Sequence, residues 1–254
     1  MTPYFLRDTS ALLGRSLRHI VRSPDTIITT VLTPLAMMLM FAYVFGGAID
    51  IRGGGKYVDY LLPGILMITV ASGVAYTSLR LYTDISGGIF ERFQSMPIAR
   101  SAILWGHVLT SLIANLISLV VVVLVALGIG FRSGAGVLAW LGAIGIVVLV
   151  TLALTWLAVI AGLVAKSPDG AGGFVYPLFF LPFVSSAFVP TRTMPGPLKW
   201  FAEHQPVTSI VDTLRNLYAQ KPLGSDLWVS LAWSVGLLVV AWALAMRTYH
   251  RKLA

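Results

Sequence analysis

The sequence predicts an all-α integral membrane protein that crosses the bilayer six times, and three observations carry the prediction. The 254 residues are 57% hydrophobic and only 11% charged, with a mean hydropathy of +0.85, whereas a soluble domain carries about 25% charged residues. Six long runs contain no Asp, Glu, Lys or Arg: 26–49, 60–79, 101–131, 133–165, 170–191 and 227–246. Each is long enough to cross ~30 Å of hydrocarbon as a helix, which takes about 20 residues. Only helices and closed barrels satisfy their backbone inside a bilayer, and barrel strands would be ~10-residue alternating segments. The third observation is that all ten carboxylates lie outside these runs.

The segment 1–25 reads as an amphipathic interfacial helix. At about 100° per residue, Arg7, Arg15, Arg18 and Arg22 fall within roughly an 80° sector, with Leu6, Leu13, Leu17 and Ile20 opposite. Such a helix lies in the inner leaflet with its arginines toward lipid phosphates; a disordered basic tail is the plain alternative. Ser23-Pro24-Asp25 ends it. The membrane domain proper is then 26–246, a single six-span unit, followed by a basic tail at 247–254. The segment before the first run is charged and the run itself is too long for a cleavable signal core. The runs 101–131 and 133–165 exceed one crossing and are expected to include interfacial turns.

Six spans put both termini on one side. Lys and Arg outside the spans number eleven on that side and seven on the other, which places the termini in the cytoplasm. The net charge of +8 is read as attraction to membrane lipid, and nucleic-acid binding is not expected, because no soluble basic domain is present. With no cysteine, disulfide and thiolate chemistry are excluded.

Two polar segments interrupt the runs. On the cytoplasmic side, the loop 80–100 includes "ERFQSMPIAR" (91–100), and 84–98 reads as a short helix in which Ile89, Phe93 and Met96 follow i, i+4, i+7. Asp84 and Ser86 are candidate caps and Pro97 closes the exit. A short helix with aromatic knobs in a charged frame suits docking into a partner's groove; a capped connecting helix under its own spans is the alternative. On the outer side, 192–226 is too long for a hairpin. Leu198 and Phe201 precede a break at Pro206, and Ile210, Leu214 and Leu217 follow it at i, i+4, i+7. Two short helices dipping into the outer leaflet fit this pattern.

Chemistry is conspicuous by its absence. Ion-coupled carriers place acids inside the membrane, and here only His107 could titrate within a run; it is expected to be an interfacial hydrogen bonder. Asn115, Thr151 and Thr155 are expected to bond neighbouring helices. The sequence has no HExxH, no Asp-rich metal cluster and no catalytic cluster. "GGGKY" at 53–57 falls short of a phosphate-binding loop, with Asp50 in place of the first glycine and Tyr57 in place of the hydroxyl. A pump built on this chain must take its energy from another chain through a cytoplasmic contact, which favours the docking reading of 84–98.

Three segments in the right order resemble a known family: "RSPDTIITTVLTPLAMMLMFAYVFGGAI" (22–49), "ERFQSMPIAR", and "FVPTRTMPGPLKWFAEHQPVTSIVDTLRNL" (188–217). They are similar to permeases of type-2 ATP-binding-cassette exporters, particularly the daunorubicin-resistance-like branch; His204-Gln205 departs from its pattern. The resemblance implies a type V exporter fold in a bacterial inner membrane. It implies a second permease, the same or homologous, and two copies of an ATP-binding subunit that carry the ATP and magnesium. No cofactor is expected in this chain, nor any catalytic site. The start of the chain would be the elbow helix. Asp84, Phe90, Glu91, Arg92, Phe93, Pro97 and Arg100 would couple to the ATPase, and Met194, Pro195, Pro206, Asp212 and Arg215 would form the outer gate. The implied cargo is a hydrophobic drug or lipid-like molecule, with lipid-linked polysaccharide second; a passive channel or secondary carrier is the alternative from a different class.

Overall fold

The computed structural model describes residues 25–46, 56–88 and 100–253. Among these, the elements are helical throughout. The first is α1 (Asp25–Leu39), which contains Pro34 and passes directly into a π-helical turn, Met40–Phe45. Then come α2 (Tyr57–Ser86), α3 (Arg100–Gly128) and α4 (Val137–Val164). Two six-residue helices follow, α5 (Pro168–Gly173) and α6 (Val175–Phe180), and 3-10 turns at Leu181–Val184 and Thr191–Thr193. The outer segment folds as α7 (Gly196–His204) and α8 (Pro206–Tyr218), and the last helix is α9 (Asp226–Leu253).

Five helices among the described residues are long and apolar enough to cross a membrane: α1 with its π turn, α2, α3, α4 and α9. The fifth apolar run, 170–191, departs from the expected single helix. Ser167 caps its start by accepting from the Gly170 amide, with Pro168 at the first position. Gly172-Gly173 then breaks the ladder, Pro177 and Pro182 cannot donate to it, and the chain leaves helical geometry after Val184. Hydropathy counts these residues as apolar or neutral and is blind to what they do to a helix. The expected interfacial turn between the two longest runs is present, because 129–136 is non-helical.

α2 is the hub. It packs against α1, α3, α4, α5, α6 and α8, and Leu61, Leu62, Ile65, Ile68 and Val74 are fully buried. α4 lies between α2 and α9, and a methyl on Gly162 would sit 2.7 Å from the Ser78 carbonyl oxygen of α2, so glycine sets that helix spacing. A smaller core at one end joins Leu81, Leu104, Trp156, Leu163 and Tyr249. The remaining apolar surface is exposed, with Leu138 85% and Trp228 71% accessible, as expected where the solvent is hydrocarbon.

Asp84 and Ser86 belong to the last turn of α2, where the Ser86 hydroxyl donates back to the Tyr82 carbonyl; the helix they are expected to cap lies outside the described residues. One expectation is corrected: Asn115, Thr151 and Thr155 do not hydrogen-bond a neighbouring helix but donate to the carbonyls of Ser111 (3.2 Å), Val147 (2.7 Å) and Thr151 (2.6 Å) in their own. In an apolar surrounding the i−4 carbonyl is the nearest acceptor, and it wins. In the basic stretch after residue 246, α9 continues through Arg247, Arg251 and Lys252.

Candidate functional site

The broken stretch carries backbone groups that no helix satisfies. Buried non-helical backbone is tolerated only where protein supplies the partners. Here α8, the residue that caps it and the start of α2 supply them. The Gln205 side chain donates to the carbonyls of Leu181 (3.3 Å) and Val184 (3.1 Å), while its own oxygen accepts from the Val207 amide and caps α8. The Ser186 amide donates to the Thr208 hydroxyl. Tyr57 donates to the Phe188 carbonyl at 3.1 Å, and Tyr60 to the Ser186 carbonyl at 2.8 Å.

At the centre is Arg215. Its guanidinium pairs with Asp212 one turn earlier on α8 and donates to the carbonyls of Ser186 (2.9 Å) and Tyr60 (3.2 Å). It also lies over the Tyr60 ring at 3.7 Å, a cation–π contact strengthened by partial desolvation. The Ser186 hydroxyl donates to Asp212 at 2.8 Å. One arginine thus ties together α8, the broken stretch and α2. Burial pushes the Asp212 carboxyl above its usual range. Arg215 and the Ser186 hydrogen bond pull it down without cancelling that effect, and Asp226 adds to it.

The chain from Lys166 to Ser186, which includes most of the broken stretch, runs along much of α2. Near one end of that helix, Tyr82 donates to the Lys166 carbonyl at 3.4 Å; near the other, Tyr60 holds Ser186. Twenty-two residues of helix separate the two tyrosines, about 33 Å at ~1.5 Å per residue.

Of the expected outer-gate residues, Asp212 and Arg215 meet in this network. Met194 and Pro195 lie at the entry to α7, and Pro206 opens α8; they punctuate helices and contribute no side chain to the polar cluster. Sequence reasoning missed Tyr60, Ser186, Gln205 and Thr208. Gln205-Pro206 before an amphipathic run is a capping signal that points to one of them.

At the other end of α2, Asp84 lies 3.3 Å from the His107 imidazole of α3, so His107 is an interfacial partner as expected. Phe90, Glu91, Arg92, Phe93 and Pro97 lie outside the described residues, as do Arg7, Arg15, Arg18 and Arg22; Arg100 opens α3. Among the described residues no group of three or more His, Cys, Asp or Glu could hold a metal ion.

A bundle of long apolar helices with a proline-broken stretch stitched to two short outer helices defines a multi-pass membrane protein. The family description "ABC-2 type transporter" matches residues 7–218, and the chain belongs to that family. It is 32% identical to a daunorubicin resistance ABC transporter permease protein of Streptomyces coeruleorubidus, over 94% of this chain and 85% of the relative. It is 23% identical to a probable doxorubicin resistance ABC transporter permease protein of Mycobacterium tuberculosis, over 93% and 86%. A putative transport permease of Cyanophora paradoxa is 24% identical over 85% and 76%. The resemblance read from the three sequence segments is thereby borne out.

Proposed function

We propose that this chain is the membrane-spanning half of an ATP-driven exporter that moves a hydrophobic drug or lipid-like molecule out of the cell. The observation that carries this reading is the likeness over 94% of the chain to a daunorubicin resistance permease. The chain has no phosphate-binding loop, so two copies of a separate ATP-binding subunit supply ATP and magnesium. A second permease, the same or homologous, completes the pathway. The broken stretch serves as a sixth crossing, supported by the hydrogen bonds that tie its two ends to Tyr82 and Tyr60. The termini then share the cytoplasmic side of a bacterial inner membrane. The segment 1–25 is the elbow helix. The 89–99 connection between α2 and α3 is the element the ATPase pushes, with Asp84 and Arg100 at its two stems. The Asp212–Arg215 cluster, with Met194, Pro195 and Pro206 beside it, closes the exit in alternating access.

Reconstitution with the ATPase subunit tests the reading. ATP-dependent accumulation of an anthracycline or a hydrophobic dye in inverted vesicles is expected. Phe93→Ala and Glu91→Ala are expected to insert normally yet lose transport, ATPase stimulation and subunit co-purification together, since a buried aromatic anchor contributes about 2 kcal/mol or more to an interface. Accumulation that persists without ATP would instead identify a channel or a secondary carrier.

A further inference from the structure

α2 and α3 are antiparallel and joined by the 89–99 connection, and polar contacts recur down their seam. Nearest the connection is Asp84 with His107 at 3.3 Å. Next, the Thr77 and Ser111 hydroxyls are in direct hydrogen-bond contact. Furthest in, the Asn115 amide packs on Gly73 so closely that a methyl group on that glycine would collide with it. These pairs step down one helix as 84, 77, 73 and up the other as 107, 111, 115, the order of an antiparallel pair, and the two inner ones share one register. Asp84 and Gly73 are eleven residues apart, about 16 Å of helix.

The two inner contacts lie side by side, one a hydrogen bond between Thr77 and Ser111 and the other the packing of Asn115 on Gly73. Asn115 donates its amide to the Ser111 carbonyl at 3.2 Å. Thr77 donates to the Gly73 carbonyl at 3.1 Å, which leaves its oxygen to accept from the Ser111 hydroxyl. The Asn115 side-chain oxygen is buried with no hydrogen-bond partner and faces Gly73. Ser111 and Asn115 are 7% and 1% exposed. Separating the helices would leave the Ser111 hydroxyl without the Thr77 oxygen in an apolar interior, where an unmade hydrogen bond costs about 1–3 kcal/mol, whereas the bonds of Asn115 and Thr77 to i−4 carbonyls stay within their own helices. A seam of aliphatic side chains could slide; this one has discrete partners and a fixed register.

We propose that α2 and α3 move as one rigid lever, and that His107, Ser111 and Asn115 are the positioning residues that keep α3 registered on α2 when the 89–99 connection is displaced. The inference rests on the reading of that connection as the ATPase contact. Push at the connection is carried along the rungs into the span, where α2 also touches the broken stretch through Tyr60.

The natural chain has no cysteine, which makes a direct test available. Thr77→Cys with Ser111→Cys places two thiols where hydroxyls are now in contact, so that the sulfurs face each other across the seam as a disulfide requires. Oxidation is expected to close the bond with or without a nucleotide analogue on the ATPase, and the oxidised complex is expected to transport as the reduced one does. Transport that stops on oxidation and returns with reductant would mean the helices part during the cycle, and would overturn the proposal. Failure of the bond to form would overturn it too. Because oxidised and reduced forms are the same folded molecule, misfolding cannot produce the reversible loss. Asp84→Asn and His107→Gln are each expected to lower transport roughly three- to thirty-fold while ATP hydrolysis continues, the range in which single contacts along a coupled path act. The exchange Asp84→His with His107→Asp is expected to restore part of it; unchanged transport in both single variants would remove His107 from the lever. If the parental complex shows no ATP-dependent transport, the exporter reading fails, a result distinct from any pattern of cross-linking.

Discussion

Replacing Arg215 by methionine removes the charge that joins three elements while keeping most of the side-chain volume. The loss can be sized from the geometry. The guanidinium donates to the Asp212 carboxylate and to the carbonyls of Ser186 and Tyr60. Breaking a fully buried ion pair by deleting one partner costs about 3–5 kcal/mol. Here the two side chains retain 19% and 30% exposure, so the low end applies, about 3 kcal/mol. For a chain of this size each kcal/mol moves the melting temperature by about 2–4 °C, so a drop of roughly 6–12 °C is expected. Tryptophan fluorescence in detergent micelles reads it directly, with seven tryptophans in the chain.

A second substitution separates charge from packing. Adding Asp212→Asn to Arg215→Met removes the carboxylate left without its counter-ion, and the double variant is expected to melt above the single one. The pH dependence follows with a definite sign. Burial holds the native Asp212 carboxyl above its usual range. Its contribution is therefore complete below the ordinary carboxylate value of about 4 and is lost as pH rises through the native value. Losing Arg215 pushes that value higher still, so the deficit of Arg215→Met is expected to shrink on acidification, when a protonated Asp212 needs no partner. A single variant melting within about 2 °C of the parent, or a double variant no better than the single one at neutral pH, would refute this account of the cluster.

Three other outcomes follow from the same structure. Cysteine at Lys166 is expected to label only from the cytoplasm and at Lys221 only from outside, both side chains being exposed; labelling of both from one side would remove the sixth crossing. Gly162→Ala is expected to cost about 1–3 kcal/mol by overpacking, since its new carbon would lie 2.7 Å from the Ser78 carbonyl oxygen and 3.1 Å from Leu81; an unchanged melting temperature would show that the α2–α4 contact relaxes freely. Exchanging Arg15, Arg18 and Arg22 for glutamate is expected to weaken membrane integration, at about 1 kcal/mol for each lost attraction to anionic lipid, read as the fraction recovered in membranes.

Hydropathy made the long spans legible, because an uncharged run of this length has few alternatives to a membrane helix. It failed at 170–191, where Gly172, Gly173, Pro177 and Pro182 preserve the apolar average and destroy the helix. The resemblance of the 188–217 segment made Asp212 and Arg215 visible together. Their partners were not visible, because Tyr60 lies 155 residues from Arg215 and a serine in an apolar run carries no mark of what it will meet. The coupling residues were named from a motif resemblance, and only Asp84 at one stem has acquired a described partner, His107.

The two polar assemblies sit at opposite ends of α2 and differ in kind. The α2–α3 seam draws only on two adjacent helices that one short connection joins: Thr77 and Ser111 bond across it and Asn115 packs on Gly73. The outer cluster is held by elements far apart in sequence, with Arg215 drawing on α2, α8 and the broken stretch at once. Parting the seam would leave the buried Ser111 hydroxyl without its partner in an apolar interior that offers no substitute. Opening the outer cluster exposes an arginine and a carboxylate that water can solvate, at a cost that solvent entry largely repays. A cycle that must open one end of a helix and keep the other intact would therefore yield at Arg215 and hold at Ser111. That asymmetry can be measured as faster hydrogen exchange in α8 than along the α2–α3 seam during ATP turnover, and the reverse order would contradict it.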